Sequence, residues 1–377
     1  MKQYNAKNIL NIALAGHGGA GKTSIIESML YLSGASDRLG KIADGNTICD
    51  FDPEEVKRKA SVSTAVAPVE WKNKKLNFID TPGLFDFEGG LWEGVRAADT
   101  VMIAVSGKNG VSVGTEKAVK AAESRGLSKV FFVNGLCDES ARFYRVFETL
   151  KASFGPSVCP VVVPFIVDGQ ANCYVNLLEY KAYAYSPDGK VSEVPMPDMG
   201  DRLEGLRTAI YEAVAETSDE MFEKYFSGEA FTPEEVIVGV SRGVKSGAIS
   251  PVFCGDAINT FGIDQLLNGL VWLAPSAAEK SDEIGLDPDG NMVELSVNED
   301  GAPAAVVFKT IADPFVGKLS YFKVISGKVS PETPLVNMRT GNQERISKVM
   351  TVKGKKQEDA AYIGAGDIGA APKLQNT

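Results

Sequence analysis

Gly16-His17-Gly18-Gly19-Ala20-Gly21-Lys22-Thr23 is the stretch whose reading decides the fold of this chain. An apolar run, Ile9 to Ala15, precedes it and reads as a buried strand. Helical spacing follows it at Ile25, Ile26, Met29 and Leu30. Strand, glycine loop and helix together are the context of a phosphate-binding loop. Glycines let backbone N–H groups turn inward around phosphate oxygens where side chains would crowd them. The following helix aims its positive dipole end at the same anion. The candidate phosphate contacts are Gly18, Gly19, Ala20, Gly21, Lys22, Thr23 and Ser24. Lys22 is a point charge for the outer phosphates, and the Thr23 hydroxyl is a candidate ligand for Mg²⁺. Which nucleotide is bound, and whether it is cleaved, must come from elsewhere in the chain.

A length of 377 residues points to two or three domains. No run of 18 apolar residues occurs, so no membrane contact is expected. The five cysteines form no C-x-x-C pair, and with a single histidine, His17, they make no zinc set. A cytoplasmic protein with reduced thiols is expected. The net charge of −10 argues against a general nucleic-acid coat, and no DNA partner is expected. The charge is uneven, however: Ala302 to Thr377 holds 11 Lys and Arg against 6 Asp and Glu. A basic C-terminal module on an acidic body has the charge to contact RNA, although surface lysines are more often only solvated.

Residues 8–135 alternate apolar runs (Ile9–Ala15, Ala65–Trp71, Leu76–Asp80, Thr100–Val105, Val130–Asn134) with helical segments (Lys22–Leu32, Gly89–Ala97, Gly114–Ser124, Ala141–Ser153). This alternation predicts an α/β P-loop domain with a doubly wound, mostly parallel sheet and its ligands at the carboxyl ends of the strands. Between the first helix and the second strand lies a long polar stretch, Gly34 to Ser63, which carries Asp37, Asp44, Asp50, Asp52, Glu54 and Glu55 and then Lys57-Arg58-Lys59. Such a stretch is either a mobile surface loop or a switch that orders on a nucleotide. In the second case Ser61 or Ser63 supplies a hydroxyl to the metal. Phe78-Ile79-Asp80-Thr81-Pro82-Gly83 then ends a strand in a carboxylate placed to hold a Mg²⁺-bound water. Gly83 leaves a backbone N–H free for the γ-phosphate.

The loop Gly16–Thr23, the Asp80–Gly83 turn and the segment between them resemble the G domain of translational GTPases, and bacterial elongation factor G above all. The resemblance continues through Ala97-Ala98-Asp99, Gly107–Thr115, Phe131–Asn134, Tyr211–Tyr225, Ser250–Ala257, Phe308-Lys309-Thr310 and Asp313–Leu319. It implies a G domain over 1–280 with an inserted subdomain at about 155–245, a linker at 281–300, and an all-β barrel domain at 301–377. Strands are expected at Ala304–Ile311, Leu319–Ser326, Pro334–Met338 and Glu344–Met350. The family's further C-terminal domains have no counterpart after Thr377, and an excised fragment is expected. GTP/GDP and Mg²⁺ are the implied cofactors, with Thr23, Ser61 and Asp80 as metal ligands and Lys22 and Gly83 as the groups that act on the transferring phosphoryl. Asn134, Asp138, Asp256 and Ala257 are the implied base contacts. The implied partner is the ribosome, both rRNA and ribosomal proteins, approached by a monomer.

Departures from the family pattern fall on mechanistic positions. Leu84 stands where the family has the histidine that positions the attacking water, and a leucine side chain neither donates nor accepts a hydrogen bond. Asn134-Gly135-Leu136-Cys137 replaces Asn-Lys-X-Asp, with Asp138 one residue late, reaching the base only if the loop bulges. Gly255-Asp256-Ala257 carries Asp256 where the family has serine. Arg58-Lys59-Ala60-Ser61 replaces Arg-Gly-Ile-Thr. These changes predict a GTP-binding switch with slow hydrolysis. The alternatives are a non-hydrolysing ribosome-associated structural or ribosome-protection factor, and an unrelated P-loop ATPase or kinase.

Overall fold

β1 (Ile9–Gly16) is buried at every position, as a strand covered on both faces must be. In the computed structural model, which describes residues 2–187, 189–279, 283–287, 289–313 and 317–377, it is an interior strand, the third of seven in one sheet. In chain order come α1 (Lys22–Leu32), α2 (Pro53–Arg58), β2 (Ala65–Trp71), β3 (Lys74–Asp80), α3 (Glu88–Ala97), β4 (Thr100–Ser106), α4 (Val113–Glu123), β5 (Ser128–Asn134), α5 (Phe143–Phe154) and β6 (Val158–Pro160). The chain then leaves the sheet for a separate antiparallel one, β7 (Val162–Val167), β8 (Gln170–Asn176), β9 (Lys181–Tyr185) and β10 (Val191–Val194). Three helices follow: α6 (Asp201–Ala215), α7 (Asp219–Phe226) and α8 (Pro233–Ser246). β11 (Ser250–Cys254) returns to the main sheet and α9 (Ile263–Leu273) follows it.

The main sheet runs β2-β3-β1-β4-β5-β11-β6, parallel except for the β2–β3 hairpin. Lys72 and Asn73 turn that hairpin with φ of 45° and 61°, the left-handed pair of a tight two-residue turn. Two expectations change here. Residues 158–160, expected inside the insertion, form the edge strand of the main sheet beside β11. The polar stretch 34–63 holds α2, begun by an Asp52–Glu55 capping box with Pro53 in the first turn.

Residues 283–295, expected as plain linker, form an antiparallel hairpin of Glu283–Leu286 with Met292–Leu295. Arg96 and Arg125 hold it through Glu283 at 2.5 and 3.3 Å. Pro288, which helped to mark that linker, lies outside the described residues, as do Pro314, Phe315 and Val316 of the family resemblance. The second domain is β-rich. It holds a five-stranded antiparallel sheet ordered Ala304–Asp313, Gly317–Ser326, Ile368–Pro372, Val349–Lys353, Lys356–Ala360, with short two-stranded ribbons beside it. The single strand expected at Glu344–Met350 is two, Gln343–Arg345 and Val349–Lys353.

The two domains share one apolar core, in which Phe308, Leu319, Tyr321, Met350 and Ile368 join the main-sheet side chains. A buried polar network crosses the same boundary. Lys75 Nζ sits 2.8 Å from both carboxylate oxygens of Asp367, and Lys323 Nζ lies 2.6 Å from Asp99. Asn11 donates to Asp99 at 2.8 Å and to the Gly366 carbonyl at 2.9 Å. Asn77 donates to Asn11 and to Asp367, at 2.9 and 3.0 Å. Paired and hydrogen-bonded in this way the charges tolerate burial; losing one partner strands the other. Lys75→Met is therefore expected to cost about 3–5 kcal/mol and to split a single calorimetric unfolding transition into two. Lys75→Met with Asp367→Leu should recover much of the loss. A single unsplit transition in Lys75→Met, with stability unchanged, would show that the network does not couple the domains.

Candidate functional site

The sheet gathers its loops at the carboxyl ends of β1, β3, β5 and β11. There they line a cleft of about 640 Å³, with Gly18 to Ser24, Asp50, Ser61, Gly83, Leu84, Asn134, Cys137, Asp138 and Asp256 among its walls. The loop after β1 leads into α1 through Gly21, which has φ of 87° and caps the helix with no side chain. Any Cβ there would lie 2.2 Å from Asn134 Nδ2. The free N–H groups of the first turn of α1 are thus left for an anion. Lys22 is buried, and its Nζ donates to the carbonyls of Gly16 and His17 at 3.0 and 3.1 Å. Burial pulls its pKa down, against the opposing pull of Asp80 and Asp50. Gly83 packs onto this lysine so closely that a Cβ would come within 2.2 Å of Nζ.

Behind the lysine is a set of oxygen ligands with too few partners. Thr23 Oγ1 donates to Asp80 Oδ2 at 2.7 Å and lies 3.2 Å from Ser61 Oγ. Asp80 Oδ1 and both carboxylate oxygens of Asp50 are buried without a hydrogen-bond partner. Thr23 and Ser61 stand close enough to ease the charge on Asp50 without completing a bond of normal geometry. Burial, and then the neighbouring Asp50, push the Asp80 carboxyl up to about 8. Buried carboxylates without donors are costly, and a divalent cation removes that cost. Two hydroxyls and two carboxylates, all oxygen, suit Mg²⁺ sharing its shell with water and phosphate. Among the described residues no cluster of three His, Cys, Asp or Glu offers an alternative metal site. The sequence reading missed Asp50 as a member of this set, because nothing local distinguishes it from the other acids of the polar stretch.

Glu27 and Glu55 shape that stretch. Glu27 Oε1 accepts the N–H groups of Ile48 and Cys49 at 2.7 and 3.2 Å, and Glu55 Oε1 accepts those of Val62 and Ser63, both at 3.1 Å. Ser61 faces the cleft, whereas Ser63 turns away to accept from Lys309 of the second domain. Leu84 leans over the glycine loop, its Cδ2 3.1 Å from where a Gly18 Cβ would sit. His17 is exposed and edges against Phe85, with ring centroids 5.7 Å apart.

At the base end, Asn134 joins three loops. It donates to the Ala20 carbonyl at 3.0 Å and accepts the Ala257 N–H at 2.9 Å. Asp138 lies at the rim, exposed, its carboxylate taken by the Ser140 N–H at 2.8 Å and by Lys108 at 3.5 Å. Asp256 is buried and accepts the Cys137 N–H at 3.1 Å. The bulge that would turn Asp138 inward is not formed.

The family profile of the elongation factor Tu GTP binding domain matches residues 7–276, and that of elongation factor G domain 2 matches residues 302–377. Elongation factor G 1 of Bdellovibrio bacteriovorus is 33% identical over 374 residues, covering 97% of this chain and 53% of the relative. Elongation factor G of Ureaplasma parvum serovar 3 is 32% identical over 371 residues, covering 97% and 54%. A crystal structure of a Thermus thermophilus protein superposes with a TM-score of 0.86 at 30% identity, covering 98% of this chain and 53% of that one. The chain spans about half the length of the curated relatives it matches.

Glu27, under the polar stretch, gives the fold a pH dependence. Burial raises its carboxyl to about 7 from a usual 4.5, and its Oε2 has no partner. An acid raised on folding binds its proton more tightly in the folded state, so stability falls as pH rises from 4.5 through 7. Glu27→Gln keeps the acceptor and removes the buried charge. It is expected to stabilise the nucleotide-free protein by on the order of 1–3 kcal/mol at about pH 8 and by nothing near pH 4. Urea titrations at both pH values measure this, and an equal gain at both would contradict it.

Proposed function

Because this chain belongs to the family of the elongation factor Tu GTP binding domain and carries an elongation factor G second domain behind it, we propose that it is a guanine-nucleotide switch of the elongation factor G type that acts on the ribosome. The observation that carries the reading is the convergence of Lys22, Thr23, Ser61, Asp50 and Asp80 under an uncapped helix start. Gly18 to Ser24 bind the phosphates, with Lys22 neutralising the outer ones. The Gly83 N–H meets the γ-phosphate, and Lys22 and Gly83 together stabilise charge on the transferring phosphoryl. Thr23, Ser61 and Asp80, with Asp50, would hold Mg²⁺, which would supply positive charge to offset that of the phosphates. Asn134 and Ala257 fix the loops around the base. Ser61 reaches Thr23 only when the segment on Glu27 and Glu55 is folded down, so nucleotide state governs that surface and its docking on rRNA and ribosomal proteins. The protein works in the cytoplasm as a monomer.

Hydrolysis is slow in this reading, since Leu84 occupies the place beside the glycine loop from which a side chain would orient water. The test compares binding of GTP, GDP, ATP and ADP, then phosphate release with and without ribosomes. Tight GTP binding with weak, ribosome-stimulated release is expected. Preference for ATP, or release indifferent to ribosomes, would overturn the reading. Leu84→His should raise the ribosome-stimulated rate by about tenfold or more, a modest share of what a positioned polar group contributes. An unchanged rate would show that water is not positioned from residue 84.

A further inference from the structure

We propose that Asp256 supplies the carboxylate that reads the guanine edge in this chain, taking over from a position now held by Cys137. The inference rests on the guanine-nucleotide reading above. Position 137 cannot serve. Burial and the Asp256 carboxylate push the Cys137 thiol up to about 11, so it stays protonated and offers no anionic acceptor. Asp138 is held at the rim by Ser140 and Lys108. Asp256 is the remaining carboxylate on the base-side wall of the cleft among the described residues.

Its placement is fixed by backbone. Asp256 exchanges N–H···O bonds with Phe261 at 2.9 and 3.0 Å, and Leu136 N–H donates to the Gly255 carbonyl at 3.1 Å. The next N–H, that of Ala257, is held by Asn134. The carboxylate is therefore registered against the end of β5 from which the family reads the base. Its contacts are of two kinds. Backbone N–H groups of Cys137 and Asn259 hold it at 3.1 and 3.0 Å, and the exposed Asn259 side-chain amide adds a donor at 2.9 Å. That last donor sits on a rotatable side chain and is replaceable, so N1–H and the 2-amino group of guanine can take the position that the amide and the adjacent thiol now occupy. A carboxylate has about four acceptor sites, enough for the backbone donors and the base edge together. Ile258, exposed and lining the cleft, offers an apolar face to the ring, whereas the space beside Gly135 is open.

An aspartate at 256 with cysteine at 137 thus reverses the family arrangement of serine and aspartate across the same gap. Carboxylate reading favours guanine over adenine, whose N1 accepts, and over xanthine, whose 2-oxo group also accepts.

Competition against a fluorescent GDP by GDP, IDP, XDP and ADP tests this on the full chain. The wild type should bind GDP best, IDP next, and XDP and ADP weakly. Asp256→Asn should move the GDP-to-XDP affinity ratio toward XDP by about tenfold or more, as expected when a buried reading group is reversed. Cys137→Asp combined with Asp256→Ser should restore GDP selectivity. Where Asp256→Asn no longer folds, Asp256→Ser alone is read instead: it should lose the preference for GDP over XDP that the double variant regains, whereas a merely structural Asp256 would leave that ratio unchanged. An unchanged ratio in Asp256→Asn, a shift in Asp138→Asn instead, or failure of the double variant to select GDP overturns the assignment while the guanine-nucleotide reading stands. Preference of the wild type for ADP overturns both.

Discussion

Lys22 is buried beside carboxylates that have too few donors, and the architecture around the cleft follows from that imbalance. Two backbone carbonyls take the lysine, Thr23 takes one oxygen of Asp80, and Asp50 and the other Asp80 oxygen are left over. Burial at this density disfavours every charged form in the group, as the lowered lysine and raised carboxyls record. A cleft arranged in this way is complementary to what it lacks, a divalent cation and a polyanion. The glycines belong to the same logic, because Gly21 and Gly83 are positions where a single methyl group would strike Asn134 or Lys22.

The polar stretch before β2 is held down from below by Glu27 and Glu55 and from the side by the second domain. Lys309, buried in that domain, donates to Ser63 and to the Thr64 carbonyl and lies 3.8 Å from Glu93 on α3. It therefore touches both segments that flank the phosphate site. Gly354 extends the contact by donating to Val66 on the edge strand β2 at 2.8 Å, which covers an otherwise open edge. With the Lys75–Asp367 and Lys323–Asp99 pairs, these bonds make the second domain part of the frame of the site.

The glycine loop, the strand ending in Asp80 and the βα alternation were legible because each is a local pattern with a local cause. The residues that complete the site were less so. Asp50 stands in a run rich in acids, and only tertiary packing separates it from Asp52, which caps α2. Asp138 and Asp256 differ by which loop the sheet turns inward, a matter of register between β5 and β11 that spacing does not reveal. The helix α2, begun by the Asp52–Glu55 capping box, was not legible, because six helical residues inside a polar stretch show no apolar periodicity. Residues 158–160 joined the main sheet for a similar reason: three residues are too few to show alternation.

A crystal structure with a non-hydrolysable GTP analogue and Mn²⁺, phased to show the anomalous signal of the metal, tests the central claim most directly. One anomalous peak is expected within ligand distance of Thr23 Oγ1 and Ser61 Oγ, with the Thr23–Asp80 hydrogen bond broken, both Asp50 and Asp80 turned toward metal-bound water, and Lys22 on the outer phosphates. A nucleotide seated elsewhere, or no metal between Thr23 and Ser61 while Thr23 still donates to Asp80, would contradict it.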